Sequence, residues 1–287
     1  MFRFLRLLRL AFWRAFTHDA FATAKASAYS SILTFFPLLL ILGSGLANWR
    51  KGGPYLREIS YALGSILPAG SNTALTYLKG AAQHPVGLLT TTSLITLWTA
   101  SGVMISWMEG FRRCYELPKT WNLVKERLIA FLLVVFALVP MTFATLLVAL
   151  GSKIETRLLP YIDPDFSAYI LLLWGAIRWM IATLTSISVI ALIYHHAVPR
   201  TQPWHSVIPG ATLATVLWFS ATIGFRSYLQ HFANFATIYG SLGVAMALLV
   251  WMYLISLAVL VGAEFNALLF PRAMLGKELT AINNRKP

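Results

Sequence analysis

Charge is scarce in this chain. Only 11% of its 287 residues are Asp, Glu, Lys or Arg, against about 25% in an ordinary soluble domain. Acidic residues are the scarcer kind, 10 against 23 Lys and Arg. That shortage excludes a domain whose whole surface faces water. Cysteine occurs once, as Cys114, which excludes an intramolecular disulfide and any CxxC redox or metal site, and leaves an ordinary thiol. GxxxxGK[ST], HExxH and GxSxG are all missing, so no motif proposes an enzyme. Alternating short strands are missing too, which argues against a membrane barrel.

Apolar residues fill the space: 58% of the chain is hydrophobic and the mean hydropathy is +0.69. A membrane-crossing helix needs about 20 mainly apolar residues. Leu242–Ala263 alone supplies 22 without a charge. Six such segments are expected, near 26–47, 86–108, 128–150, 169–197, 206–226 and 241–270. Because backbone groups in lipid must bond within their own segment, they read as helices. The expected architecture is all-α: a basic amphipathic segment over 1–20, a six-helix transmembrane domain over 21–272, and a basic tail over 273–287. The opening "MFRFLRLLRLAFWRAF" sets Arg6, Arg9 and Arg14 against Phe4, Leu5, Leu8, Phe12 and Phe16. That pattern suits a helix lying in the membrane interface and not a secretory signal. In the long 48–85 connection, "PYLREISYALGSIL" has helical spacing and suggests short helices over the external mouth.

Lys and Arg counts orient the helices. One set of connections holds Arg3, Arg6, Arg9, Arg14, Lys25, Arg112, Arg113, Lys119, Lys125, Arg127, Arg200, Arg272, Lys277, Arg285 and Lys286, fifteen in all; the opposite set holds Arg50, Lys51, Arg57, Lys79, Lys153, Arg157 and Arg226, seven. Both termini should be cytoplasmic. The same distribution accounts for the net charge of +13 through orientation and anionic headgroups, and no nucleic-acid module accompanies it. His195, His196 and His205 fall close together between the fourth and fifth segments; beside Pro199 and Pro203 they read as interfacial polar residues and not as a metal site. No metal or other cofactor is expected. Pro37 and Pro140 lie inside the first and third segments and should break or kink them, with hydroxyls such as Thr34 serving the freed carbonyls. "GSGLA" and "YGSLGVAMA" would let helices approach closely.

The stretches "AKASAYSSILTFFPLLLILGS", "LWTASGV", "VIPGATLATVLW" and above all "YGSLGVAMALLVWMYLISLAVLVGAEFNALL" resemble the YihY/BrkB family, over roughly residues 15–272. That is a bacterial inner-membrane family once labelled ribonuclease BN. The resemblance implies a six-helix integral membrane protein, and transport or lipid translocation has been the usual guess for such proteins. The chain has no histidine and aspartate cluster suited to metal-dependent RNA hydrolysis.

Two charges stand inside the apolar segments. Glu264 lies eight residues before Arg272, about 12 Å deep at ~1.5 Å per residue. A charge so placed should face the bundle interior or a partner. Lys25, entering from the same side, is the partner its depth suggests; a shared proton, Asn266 or a neighbouring helix are the other ways to neutralise it. Glu109 closes the second segment on that side. Arg178, in the other half of the membrane, could hold an anionic group with paired hydrogen bonds or instead bond helix carbonyls or Asp163 or Asp165. The expected function is a transporter or a translocase for a lipid or anionic solute, with Arg178 binding substrate and Glu264, Lys25 and Glu109 forming a polar inner gate. The alternative is a scaffolding protein of the envelope in which the charges lock the packing. Expected partners are membrane lipids and an anionic lipid or solute, with no nucleic acid; self-association stays open. The charge asymmetry makes one outcome definite. Reporter fusions after residues 120 and 287 should read cytoplasmic and fusions near 65 and 160 external, and a C-terminal reporter active only outside would reverse the assignment.

Overall fold

The structure is a computed structural model that describes residues 2–48, 87–158, 164–199, 202–231 and 241–271. The helices expected in the 48–85 connection and the 273–287 tail fall outside the described residues. The described residues form seven helices and no strand: α1 (Phe2–Thr17), α2 (Ala20–Asn48), α3 (Gly87–Cys114), α4 (Leu123–Leu158), α5 (Pro164–His196), α6 (Trp204–His231) and α7 (Ser241–Leu269). Four reach the length and apolarity of a membrane crossing, over Leu123–Val148, Tyr169–His196, Trp204–Leu229 and Gly243–Leu269. The helices of the first two expected segments are as long, with Ser27, Ser30 and Ser31 on α2 and Thr96, Thr99 and Ser101 on α3.

Neither interior proline ends its helix. α2 runs through Pro37 and α4 through Pro140, so of the two expectations a full break is excluded. Proline frees the carbonyl four residues back, Leu33 for Pro37. The Thr34 hydroxyl, however, donates to the Ser30 carbonyl at 2.8 Å, so it does not serve the freed group.

Each long helix packs on its successor, and α7 closes back on α2 while also touching α3 and α1. α7 is therefore the central post. Every residue from Ala258 to Ala267 is buried, whereas α4 turns Leu128, Leu132, Val135, Phe136, Val139 and Phe143 outward. A helix apolar on every side belongs in a core; one with an exposed apolar face needs lipid around it.

Close approach replaces bulk at the centre. In lipid, helices gain nothing by hiding apolar surface from one another, so small residues and interhelical hydrogen bonds decide which ones meet. Gly210 of α6 and Gly262 of α7 meet backbone to backbone: a Cβ on Gly262 would lie 2.5 Å from the Gly210 carbonyl oxygen, 2.5 Å from the Tyr194 hydroxyl and 2.8 Å from Ala214 Cβ. A Cβ on Gly210 would strike the Gly262 carbonyl and the Asn266 side chain. Pro209 lacks an N–H and interrupts the α6 ladder. Beside it, Gly210 N–H donates to Asn266 Oδ1 at 2.6 Å, and Asn266 Nδ2 donates to the Val207 carbonyl at 3.1 Å. Across the bundle, the Tyr194 hydroxyl donates to the Val259 carbonyl at 2.5 Å and Ser256 to Ser27 at 2.9 Å. Gly262→Ala should thus lower the yield and thermal stability of the detergent-purified protein by the about 1–3 kcal/mol that overpacking costs. Gly175 and Gly224, where an added Cβ meets nothing within 4 Å, are the controls. Equal melting temperatures for Gly262→Ala and Gly175→Ala would show that the helices are not in contact there.

Candidate functional site

The polar residues of the core collect at one end of the bundle. Here α1 lies against α7, and the connections α1–α2, α3–α4 and α5–α6 come together with the last two turns of α7. α1 docks through Leu7, Leu8, Ala11 and Ala15, with Phe4 edge-on to Phe265 at 5.7 Å. Leu5, Phe12, Trp13 and Phe16 stay exposed on its far side. The helix thus has two apolar faces, one for the bundle and one turned away from it. That division corrects the expectation of a single apolar face, because Phe4 and Leu8 belong to the docked side.

Just past α1 the chain turns at Asp19, whose backbone is left-handed at φ 57°. The turn points His18 inward. His18 Nδ1 lies 2.6 Å from Glu264 Oε1, with the carboxylate 0% and the imidazole 22% exposed. The distance is that of a charge-assisted hydrogen bond. Glu264 Oε2 is also enclosed and accepts no hydrogen bond from a nitrogen or oxygen donor among the described residues; the Cys114 thiol neighbours the carboxylate. Cys114 and Tyr115 lie beyond the apolar stretch of α3. Burial pushes the Cys114 thiol well above its ordinary range, and the Glu264 charge pushes it further. Burial likewise raises the Tyr115 hydroxyl, which sits by the side chains of Gln202 and Asn266. Glu264, Asn266, Gln202, Cys114 and Tyr115 are all buried.

Lys25 is not the partner of Glu264. α2 buries Ala20, Thr23, Ala24, Ser27 and Ala28, a helical stripe, and Lys25 falls on the exposed side of it. Among the described residues it makes no ion pair. Glu109 is exposed as well and accepts from Arg113 one turn on, at 2.7 Å. The three residues expected to form a gate are therefore not assembled. Depth placed Lys25 at a suitable level, but helical phase turned it away. His18 escaped notice because it precedes the apolar segment, outside the membrane by any hydropathy reading. Its position at the turn before the first long helix was the available signal.

Arg178 stands apart. It is half-buried on α5, sixteen residues before Tyr194, about 24 Å along the axis at ~1.5 Å per residue. The structure does not bring it to Glu264. Its Nε and Nη1 atoms are enclosed, so the guanidinium lies against protein and not in open lipid. The three paired histidine candidates are occupied by rings: His195 stacks on Trp204 at 4.4 Å and meets His196 edge-on at 4.6 Å, while His205 packs on Phe270. Among the described residues no three metal-ligating side chains gather.

A second set of charges fastens the rim. Arg112 donates to Glu126 at 2.6 Å, with both side chains nearly enclosed, and Lys119 stands 3.6 Å from the same carboxylate. Arg14 reaches Glu116 at 3.1 Å, and Arg113 lies 3.7 Å from Asp19. Glu116 is left-handed at φ 52°, and Leu117 N–H returns to the Arg112 carbonyl at 2.8 Å while Glu116 N–H returns to Arg113 at 3.1 Å. These are the two bonds that close a helix end around a left-handed residue.

Comparison with known proteins gives a consistent picture. The family model described as virulence factor BrkB matches residues 11–282. The ribonuclease-like protein YfkH of Bacillus subtilis (strain 168) is 28% identical over 96% of this chain and 98% of its own. UPF0761 membrane proteins of Tolumonas auensis and of Vibrio vulnificus (strain YJ016) are 29% and 27% identical, covering 90% and 85% of this chain and 83% and 76% of theirs. No solved structure matches.

The His18–Glu264 contact can be measured by a double-mutant cycle. Removing one partner of a buried hydrogen bond leaves the other unsatisfied, at a cost of about 1–3 kcal/mol. His18→Leu should therefore lower the melting temperature in detergent more than His18→Leu with Glu264→Leu, while Lys25→Met should change little. Additive losses for the first pair would show that the two groups do not meet.

Proposed function

The chain belongs to the virulence factor BrkB family of membrane proteins, and from that premise we propose that it is a multi-pass protein of the bacterial inner membrane that moves an anionic lipid or anionic solute across the bilayer. The reading puts α2–α7 across the membrane and both termini in the cytoplasm. α2 and α3, of 29 and 28 residues, are about 43 and 42 Å long at ~1.5 Å per residue, more than the ~30 Å of hydrocarbon. Thr23, Ser27, Thr96 and Ser101 are buried, so part of the polarity of these helices faces protein. The clustered His18, Arg112, Arg113 and Lys119 then mark the cytoplasmic end.

One observation carries the functional half of the reading: the enclosed Glu264 carboxylate is held by an imidazole from outside the six-helix ring. An ionisable group inside a membrane bundle is expensive and commonly marks a pathway. The link between α1 and the central helix is a single side-chain contact at a turn, and a gate can be built on such a contact. Arg178, in the opposite half, supplies the cation for an anionic cargo. No catalytic role is assigned to any residue. In the alternative, a scaffolding protein, the pair only fastens α1.

Flux in proteoliposomes separates the two. With a fluorescent phosphatidylglycerol and with carboxyfluorescein as probes, the native protein should speed the passage of at least one. Glu264→Gln and Arg178→Lys, selected for unchanged melting, should each reduce that passage about tenfold or more. Passage at the native rate in both variants would leave the charges a packing role only.

A further inference from the structure

A groove opens on the side of the bundle between α3 and α4, away from Glu264 and Arg178. Its volume is about 570 Å³, within the range of small-ligand sites. Along α3 it extends from Glu109 to Trp98, eleven residues or about 16 Å of helix. Its walls are apolar, with Trp98 and Ile105 from α3 and Leu128 and Phe131 from α4, and its rim carries Arg112, Lys119, Glu126 and Arg127. The groove straddles the point where α4 changes character. Lys125, Glu126 and Arg127 precede Leu128, and no charge follows until Lys153.

The rim charges do not cancel. Glu126 is taken by Arg112 and Lys119, and Glu109 by Arg113. Arg127 has no carboxylate: among the described residues it makes no ion pair and donates no hydrogen bond. It lies over aromatic rings instead, its guanidinium carbon 3.8 Å from the centre of the Trp98 ring, with Phe131 a turn further on. A guanidinium without a carboxylate can bind phosphate with two parallel hydrogen bonds. Trp98, Leu123, Val124 and Leu128 beside it are all more than half exposed.

We propose that this groove is a binding site for an anionic phospholipid, with the phosphate on Arg127 and the acyl chains along Leu128, Phe131 and Ile105. The uncancelled positive charge selects an anionic lipid over a zwitterionic one, and the apolar walls select a lipid over a free phosphate. The site requires only that the protein sits in a bilayer. It is independent of what the protein transports, so its failure would leave the flux reading standing.

Native mass spectrometry of the full chain in detergent, with phosphatidylglycerol or phosphatidylcholine of matched acyl chains added, tests the proposal. The native protein should retain one phosphatidylglycerol at least about fivefold more than phosphatidylcholine. Arg127→Gln should bring retention down to the phosphatidylcholine level, whereas Lys125→Gln, an exposed cation on the same turn outside the groove, should keep the preference. If Arg127→Gln is not monodisperse, Leu128→Gln on the exposed wall should weaken phosphatidylglycerol retention in its place. Equal retention of the two lipids by the native protein would overturn the site, as would native retention in Arg127→Gln or in Leu128→Gln.

Discussion

The contact of Gly210 with Gly262 is the constraint on which the rest of the bundle depends. Two helices whose backbones touch leave no space for side chains between them, so everything nearby must be small or must reach around. Ala211, Ala214, Ala258 and Ala263 meet the first requirement and are buried. Asn266 meets the second, passing from α7 to both Gly210 N–H and the Val207 carbonyl. Where the surroundings offer no hydrophobic drive between helices, such contacts carry the choice of partner. They make α7 the element around which α2, α3 and α6 are arranged.

That same tightness creates the electrostatic problem that Glu264 poses. The carboxylate lies between Gly262 and Asn266, on the stretch of α7 with no exposed face. A buried ion must be paired and hydrogen-bonded or it is strongly unfavourable. The partner arrives from the α1–α2 turn, and with it comes the amphipathic helix that docks through Leu7, Leu8, Ala11 and Ala15. Packing at the centre and attachment of α1 at the edge are therefore one linked arrangement. The surface pairs Arg14–Glu116 and Arg113–Asp19 add little by themselves, being exposed, but they keep the two left-handed turns in register beside the buried pair.

The charges of the chain serve distinct purposes according to how they are met. Arg112 and Glu126 satisfy each other and close the α3–α4 connection. Glu264 is met through one oxygen by His18 from the turn before α2. Arg127 lies over the Trp98 ring and meets no carboxylate among the described residues. With so few acidic residues, a cation without a carboxylate is the ordinary outcome of this composition, and where such a cation borders an apolar groove its natural counter-ion is a lipid phosphate.

Hydrophobic periodicity and length were enough to place the helices. All seven lie close to the expected segments, because a run of apolar residues in lipid has no other way to satisfy its backbone. The ends were less legible: α4 begins at Leu123 and α3 continues to Cys114, since a helix ends where its last carbonyls find partners and not where its apolarity stops. That Glu264 was anomalous could also be read from composition, because one carboxylate in a long uncharged run needs an explanation wherever it points. Its partner could not be read. Depth along a helix is a one-dimensional quantity, which residue numbers supply, and by depth Lys25 qualified. Pairing needs rotation about the axis as well, and rotation is set by which face α2 buries against α3 and α7. Those contacts turned Lys25 outward and brought His18 in, and only the packed bundle could decide between them.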